Sequence, residues 1–319
     1  MDHPVHARLA GAANALKGII APVLTPFNDD LSVAEDLYLA HAKRLLDDGD
    51  LGGCVGLAPF GTTGEALSVG IDERTAMLEK LVEAGVDPAL LIPGTGLTNL
   101  PDTVKLTRHA IDLGCAGAMI LPPFYFKNVA DEGLYTYFAR LIEMVGRDAL
   151  RIYLYHIPQV AGVGIPVDVV RRLRADFPDQ IVGIKDSSGV WENTEALLGI
   201  DGLIVYPGAE LPLIEALDLG APGCISATAN LNASAIAEVI RTYHAGNRDE
   251  AVQLHEAVKR FRLTMQDYAP IPAQKRLLAG WLDPRWANVR PPFLAMSEAD
   301  GAALAARLKD EFGFEGPRL

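Results

Sequence analysis

Ile181-Val182-Gly183-Ile184-Lys185-Asp186-Ser187-Ser188-Gly189 opens with four apolar or small residues, the pattern of a strand buried on both faces. A lysine stands at its end, where such a strand should meet solvent. Lysine is almost never fully buried unless something requires it. Desolvation disfavours the ammonium, so a lysine here can be held partly as a free amine, a nucleophile able to form a Schiff base with a ketone. The competing reading is a lysine that snorkels out of the strand end or pairs with Asp186. The segment alone leaves both open.

On either side of this segment the same unit recurs. Short apolar runs over 18–24, 53–57, 90–94, 117–121, 151–155, 181–185, 203–206 and 223–226 read as strands. Amphipathic stretches over 33–46, 71–84, 101–113, 132–145, 166–174, 191–198, 210–219 and 233–245 read as the helices between them. Pro101 suits a first helical turn, where its missing N–H costs nothing. Eight βα units in roughly 230 residues, with no GxGxxG after the first strand, favour an α/β fold closed as a (β/α)8 TIM barrel over a doubly wound sheet. Beyond Gly246 the strand pattern stops, and helices are expected over 248–267, 272–282 and 297–312, the last capped by Ser297 with an acidic first turn. The division expected is an N-terminal extension over 1–16, a barrel over 17–246 and a C-terminal helical region over 247–319, packed on the barrel or used as an oligomer contact.

Composition narrows the partners. A net charge of -13 and a pI near 5.0 argue against nucleic acid and against an anionic membrane surface. A local site can still be positive, so an acidic small-molecule substrate stays open. The cysteines Cys54, Cys115 and Cys224 each lie beside glycine at the edge of an apolar run, as reduced core thiols do. No CxxC or His/Cys cluster suggests a metal site. The longest nearly unbroken apolar run, 115–126, is too short to span a bilayer and contains two prolines. The first sixteen residues lack the apolar core of a signal peptide, so a cytoplasmic protein is expected.

In such barrels chemistry sits at the C-terminal ends of the strands. Those ends carry Thr25-Pro26-Phe27, Gly61-Thr62-Thr63-Gly64-Glu65, Pro122-Pro123-Phe124-Tyr125, Tyr155-His156, Lys185 and Ser226-Ala227-Thr228. The glycines of Gly61-Thr62-Thr63-Gly64 allow a sharp turn whose N–H groups and two hydroxyls make a small anion cradle, although an ordinary tight turn reads the same way. Tyr155 is a core tyrosine or, beside Lys185, a proton shuttle coupled to Thr63 and a second tyrosine such as Tyr125. His156 has no evident carboxylate partner, so a direct role as a base is the minority reading. Asp186 and Glu65 read as structural. Lys17, Lys43, Lys80, Lys105, Lys127, Lys259, Lys275 and Lys309 fall in polar or helical contexts, and Lys185 alone ends an apolar strand.

Taken together, Gly61-Thr62-Thr63-Gly64-Glu65, Gly94-Thr95-Gly96, Pro123-Phe124-Tyr125, Tyr155-His156-Ile157-Pro158, 183–189 and 223–230 resemble, in order, the Schiff-base aldolase superfamily of dihydrodipicolinate synthase and N-acetylneuraminate lyase. The resemblance implies a homotetramer built from tight dimers and a reaction with no metal or organic cofactor, the lysine itself serving as electron sink. It makes Lys185 the Schiff-base lysine attacking pyruvate or another 2-keto acid. Tyr155 becomes the proton relay, linked by Thr63 to a Tyr125 that reaches the neighbouring subunit's site. Thr62 and Thr63 hold the carboxylate, and Ile225 and Ser226 line the pocket.

Two departures from the synthases bear on the substrate. Where those enzymes carry an arginine for the carboxylate of aspartate semialdehyde, this chain has Val160, and an apolar side chain cannot replace a bidentate carboxylate partner. His156 stands where asparagine is common, which suggests a different acceptor pocket. The expected function is therefore an aldolase- or dehydratase-type lyase acting on pyruvate or a 2-keto acid, such as a 2-keto-3-deoxy sugar acid. The alternatives are 4-hydroxy-tetrahydrodipicolinate synthase itself and a non-catalytic 2-keto-acid-binding barrel. No glycine-rich phosphate loop supports a phosphosugar site.

Overall fold

Alternating short apolar and longer amphipathic runs give alternating strands and helices in the computed structural model, which describes residues 15–47, 49 and 52–316. The expected extension over 1–16 lies outside the described residues up to residue 14. In chain order the first elements are β1 (Ile19–Ala21), α1 (Glu35–Leu46), β2 (Gly56–Leu57), α2 (Ile71–Glu83), α3 (Leu100–Asp112), β3 (Ala118–Ile120), α4 (Asp131–Val145) and β4 (Ile152–His156). They are followed by α5 (Pro158–Ala161), α6 (Val167–Asp176), β5 (Ile181–Asp186), α7 (Trp191–Leu198), β6 (Ile204–Pro207), α8 (Leu213–Asp218) and β7 (Cys224–Ile225). The chain continues with α9 (Ala229–His244), α10 (Arg248–Gln266), α11 (Pro270–Trp281) and α12 (Glu298–Phe312). Two compact units result, one from 87–225 with the described residues before Gly18, the other from 18–86 and 226–316.

The first unit is built on a parallel sheet in the order β3-β4-β5-β6. Its strands are buried along nearly their whole length, as continuous apolar runs require, and Ile152, Leu154 and Ile184 pack with Phe138 and Leu141 of α4 and Leu173 of α6. The strand expected over 90–94 shrinks to a single bridge between Gly94 and Met119. Pro88 instead opens a 3-10 turn capped by the Asp87 carboxylate, which accepts from Ala89 N at 2.9 Å, and Pro93 has no N–H to give to a ladder. Gly96 then passes so close to the next chain segment that an added Cβ would lie 2.4 Å from Leu121 N.

In the second unit β1 pairs in parallel with β2 through Ile20–Gly56 and Ala21–Leu57. Helices α10, α11 and α12 share a core of Phe261, Met265, Leu277, Leu278, Leu304 and Leu308. Helix α9 starts four residues before the expected 233 and is kinked at Asn232 (φ -129°, ψ 35°), which sets its first turn apart from the period that follows. Ser297 caps α12 as expected, its Oγ accepting from Asp300 N at 3.1 Å. The buried Asn230 side chain joins both ends of this unit: Oδ1 accepts from Leu24 N at 3.1 Å, and Nδ2 donates to Pro22 O at 3.0 Å. His41 Nε2 lies 3.1 Å from the same Oδ1.

Cys54, Cys115 and Cys224 are buried and in no disulfide among the described residues, and burial pushes the thiols of Cys54 and Cys115 up to about 12, which leaves those two inert. Among the described residues no helix is long and apolar enough to cross a membrane.

Candidate active site

Strands β4 and β5 run parallel with Tyr155 beside Lys185 and His156 beside Asp186. Side chains alternate along a strand, so Tyr155 and Lys185 share one face and His156 and Asp186 the other. Lys185 and Tyr155 are each 3% exposed, and Lys185 Nζ donates a long 3.5 Å hydrogen bond to the Tyr155 hydroxyl. Its Nζ lies 4.6 Å from the centre of the Tyr155 ring. Space for this row comes from Gly183, where a Cβ would meet the Tyr153 ring at 2.7 Å. Tyr206 follows Lys185 in register on β6, a neighbour the sequence reading passed over. Its hydroxyl is committed to Leu16 O at 2.8 Å and burial raises its pKa well above the usual phenol value, so it acts as a wall.

Both competing readings of Lys185 fail on geometry. A snorkelling lysine would be exposed, and this one is not. Asp186 points away and is fully engaged, accepting from Ser188 N at 2.9 Å, Asn193 Nδ2 at 3.1 Å and Thr194 Oγ1 at 2.6 Å. Among the described residues Lys185 makes no ion pair. His156 is also engaged: its Nδ1 accepts from Ile165 N at 2.9 Å, which leaves Nε2 to carry the proton of the neutral ring. Burial lowers its pKa against the pull of the Asp186 carboxylate.

Tyr125 and Val160 stand apart in character. Tyr125 follows β3 on a loop, 74% exposed, with its ring edge-on to Phe126 at 5.5 Å. Val160 lies on α5 and is 62% exposed. That short helix is tied to the end of β5 by Gln159 Nε2, which donates to Ser187 O at 2.5 Å. Ile225 ends β7 and is fully buried.

The second unit carries the Gly61–Glu65 turn, with Thr63 buried and Thr62 half-buried. The turn closes on itself through Glu65 N to Thr62 O at 3.1 Å and Ala66 N to Gly61 O at 3.2 Å. The Thr25 hydroxyl donates to Gly64 O at 2.7 Å. Ser226, fully buried, lies with its Oγ 3.2 Å from the Thr228 hydroxyl.

Glu65 is structural, as expected, but its partner is not one the sequence suggested. Lys275 on α11, read as a residue of polar or helical context, is helical and completely buried. Its Nζ donates to Glu65 Oε1 at 2.6 Å and to Thr25 O at 2.8 Å. Burial pushes the Lys275 ammonium down to about 8 against the pull of the Glu65 carboxylate, and burial raises Glu65 against Lys275. No periodicity links residues 210 positions apart, so nothing in the sequence announces the pair. Among the described residues no three His, Cys, Asp or Glu side chains group as a metal-binding set.

The sequence pattern of the dihydrodipicolinate synthetase family matches residues 15–311. An uncharacterized DapA-like lyase of Chloroflexus aurantiacus is 35% identical over 291 residues, covering 91% of this chain and 95% of that one. A 4-hydroxy-tetrahydrodipicolinate synthase of Thermus thermophilus is 36% identical over 280 residues, covering 86% and 90%. Among solved structures, the chloride-inhibited dihydrodipicolinate synthase of Acinetobacter baumannii complexed with pyruvate superposes with a TM-score of 0.83 at 29% identity, covering 94% of this chain and all of that one.

Proposed function

The chain belongs to the dihydrodipicolinate synthetase family, as a lyase of the Schiff-base type, and from that premise we propose its substrate and the division of labour among its residues. Its fold is the α/β class expected from the sequence, a (β/α)8 barrel with C-terminal helices; the boundaries 17–246 and 247–319 belong to the proposal. The substrate is pyruvate or a 2-keto acid that yields it, such as a 2-keto-3-deoxy sugar acid. The observation that carries this reading is the buried Lys185 amine 3.5 Å from the Tyr155 hydroxyl, with the nearest strand carboxylate, Asp186, bonded elsewhere.

Lys185 attacks the ketone carbon, and the carbinolamine loses water with a proton delivered at its oxygen by Tyr155. The resulting iminium accepts the electron pair of the bond broken beta to it, giving an enamine and an aldehyde. Tyr155 takes the proton released by the hydroxyl that becomes that aldehyde. Reprotonation of the enamine and hydrolysis by one water return the free lysine and pyruvate; condensation runs the same steps backwards. Thr62 and Thr63 hold the substrate carboxylate, Ile225 and Ser226 line the pocket, and Val160 and His156 face the acceptor. Thr63 and Tyr125 extend the proton relay, and the exposed Tyr125 suits a residue shared with a partner subunit, in a cytoplasmic homotetramer built from tight dimers.

Intact mass after incubation with pyruvate and borohydride tests the reading. A gain matching one reduced pyruvate, absent in Lys185→Ala, supports it; wild-type protein that gains no mass with pyruvate or any other 2-keto acid overturns it. Similarity to the Thermus thermophilus synthase keeps a second reading in play, condensation of pyruvate with aspartate semialdehyde. Turnover of that pair would establish it, and the apolar Val160 argues for none.

A further inference from the structure

The turn that carries Thr62 and Thr63 is held under strain. Phe60 (φ 57°) and Glu65 (φ 54°) flank it, and both are non-glycine residues in the left-handed region. Such a backbone is sterically disfavoured for a residue with a side chain and persists only when its surroundings over-determine it. Gly64 is pressed against the chain leaving β1, where a Cβ would sit 2.7 Å from Val23 O. Three bonds supply the constraint: Thr25 Oγ1 to Gly64 O, Lys275 Nζ to Glu65 Oε1, and Lys275 Nζ to Thr25 O. Lys275 thereby grips both the end of the turn and the residue that grips its middle. The Phe27 ring lies 4.4 Å from Lys275 Nζ and 4.5 Å from the Arg290 guanidinium, closing the surroundings.

A fully buried ion pair is a poor source of stability, because desolvating two charges offsets most of their attraction. Apolar residues of the same volume would stabilise the fold as well. What they would not do is fix the direction of the Glu65 carboxylate, and with it the turn. We infer that Lys275, acting through Glu65 and Thr25, is a positioning residue that holds the Thr62-Thr63 turn in the shape that binds the 2-keto acid's carboxylate. The inference rests on the assignment of Thr62 and Thr63 under the proposed function, and Lys275 itself touches no substrate.

The test is the pyruvate concentration giving half-maximal borohydride-trapped adduct, read by intact mass, in wild type, Thr25→Val and the double variant Glu65→Gln/Lys275→Met. The double variant removes both charges together, so no unpaired charge is left to unfold it. The expected result is that the double variant, with a native circular dichroism spectrum, needs at least tenfold more pyruvate yet reaches the wild-type adduct yield at saturation. Thr25→Val shifts the concentration in the same direction by a smaller factor. A merely structural role would lower the melting temperature and leave the half-saturating concentration unmoved, and that result overturns the inference. Wild-type protein that forms no adduct would instead overturn the proposed function, so the two failures are told apart.

Discussion

Lys185, next to last in β5, has a tyrosine hydroxyl 3.5 Å away and, among the described residues, no ion pair; Lys275 sits inside α11 with a carboxylate at 2.6 Å and a carbonyl at 2.8 Å. Both side chains are removed from water. By titration alone Lys275, lowered to about 8 by burial, looks like an amine nucleophile. Its geometry says otherwise, because a ketone reaching that nitrogen would have to displace two short bonds that brace the Glu65 turn. Burial makes a lysine unusual; the acceptors around it decide whether it is a nucleophile or a strut.

The sharpest way to break this comparison is to remove each lysine in turn. Lys185→Ala is expected to reduce turnover to background while leaving the urea midpoint unchanged; retained activity would make the two lysines equivalent. Tyr155→Phe should lower kcat by roughly 10²–10⁴-fold, the usual contribution of a positioned acid/base group, with the adduct still trapped slowly. Lys275→Ala should strand the buried Glu65 carboxylate and cost about 3–5 kcal/mol of stability in urea denaturation, a loss that Lys185→Ala does not share. Loss of adduct with no loss of stability would contradict its role as a strut.

A fourth expectation concerns pH and the unit that contains Lys275. His41 is buried against Trp286, and desolvation pushes it down to about 4. An unfolded imidazole titrates near 6.5, so between about 4 and 6.5 the unfolded state binds the extra proton and stability falls as pH falls. The loss across that window is about 3 kcal/mol. His41→Gln, which keeps a donor for Asn230 Oδ1, should flatten this part of a urea-midpoint profile between pH 7 and 4.5. The smallest effect belongs to Val160→Arg on the exposed face of α5, expected to change stability by less than about 0.5 kcal/mol. The same variant tests specificity, since a gain of aspartate semialdehyde condensation would locate the acceptor side of the pocket.

What was legible in the sequence was local. Strands β4 and β5 fall within a residue of their apolar runs, and Ser297 and Pro101 mark helix starts through chemistry confined to one turn. Asp186 was readable as structural because its partners Ser188, Asn193 and Thr194 lie within eight residues. The strand at 90–94 failed because two prolines outweighed its apolar pattern, and the start of α9 was hidden by the kink at Asn232. The Lys275–Glu65 pair was invisible for a different reason. Pro270-Ile271-Pro272 announces a helix start, but nothing local says that a lysine in its second turn is swallowed by a core whose acceptor is 210 residues away. Likewise Asn230 shows only in three dimensions that it binds the chain on both sides of Val23.

Peptide mapping of the borohydride-reduced pyruvate adduct tests the central claim most directly. The account predicts the added mass on the peptide containing Lys185 and none on the peptide containing Lys275. An adduct on Lys275, or one spread over both, would contradict it.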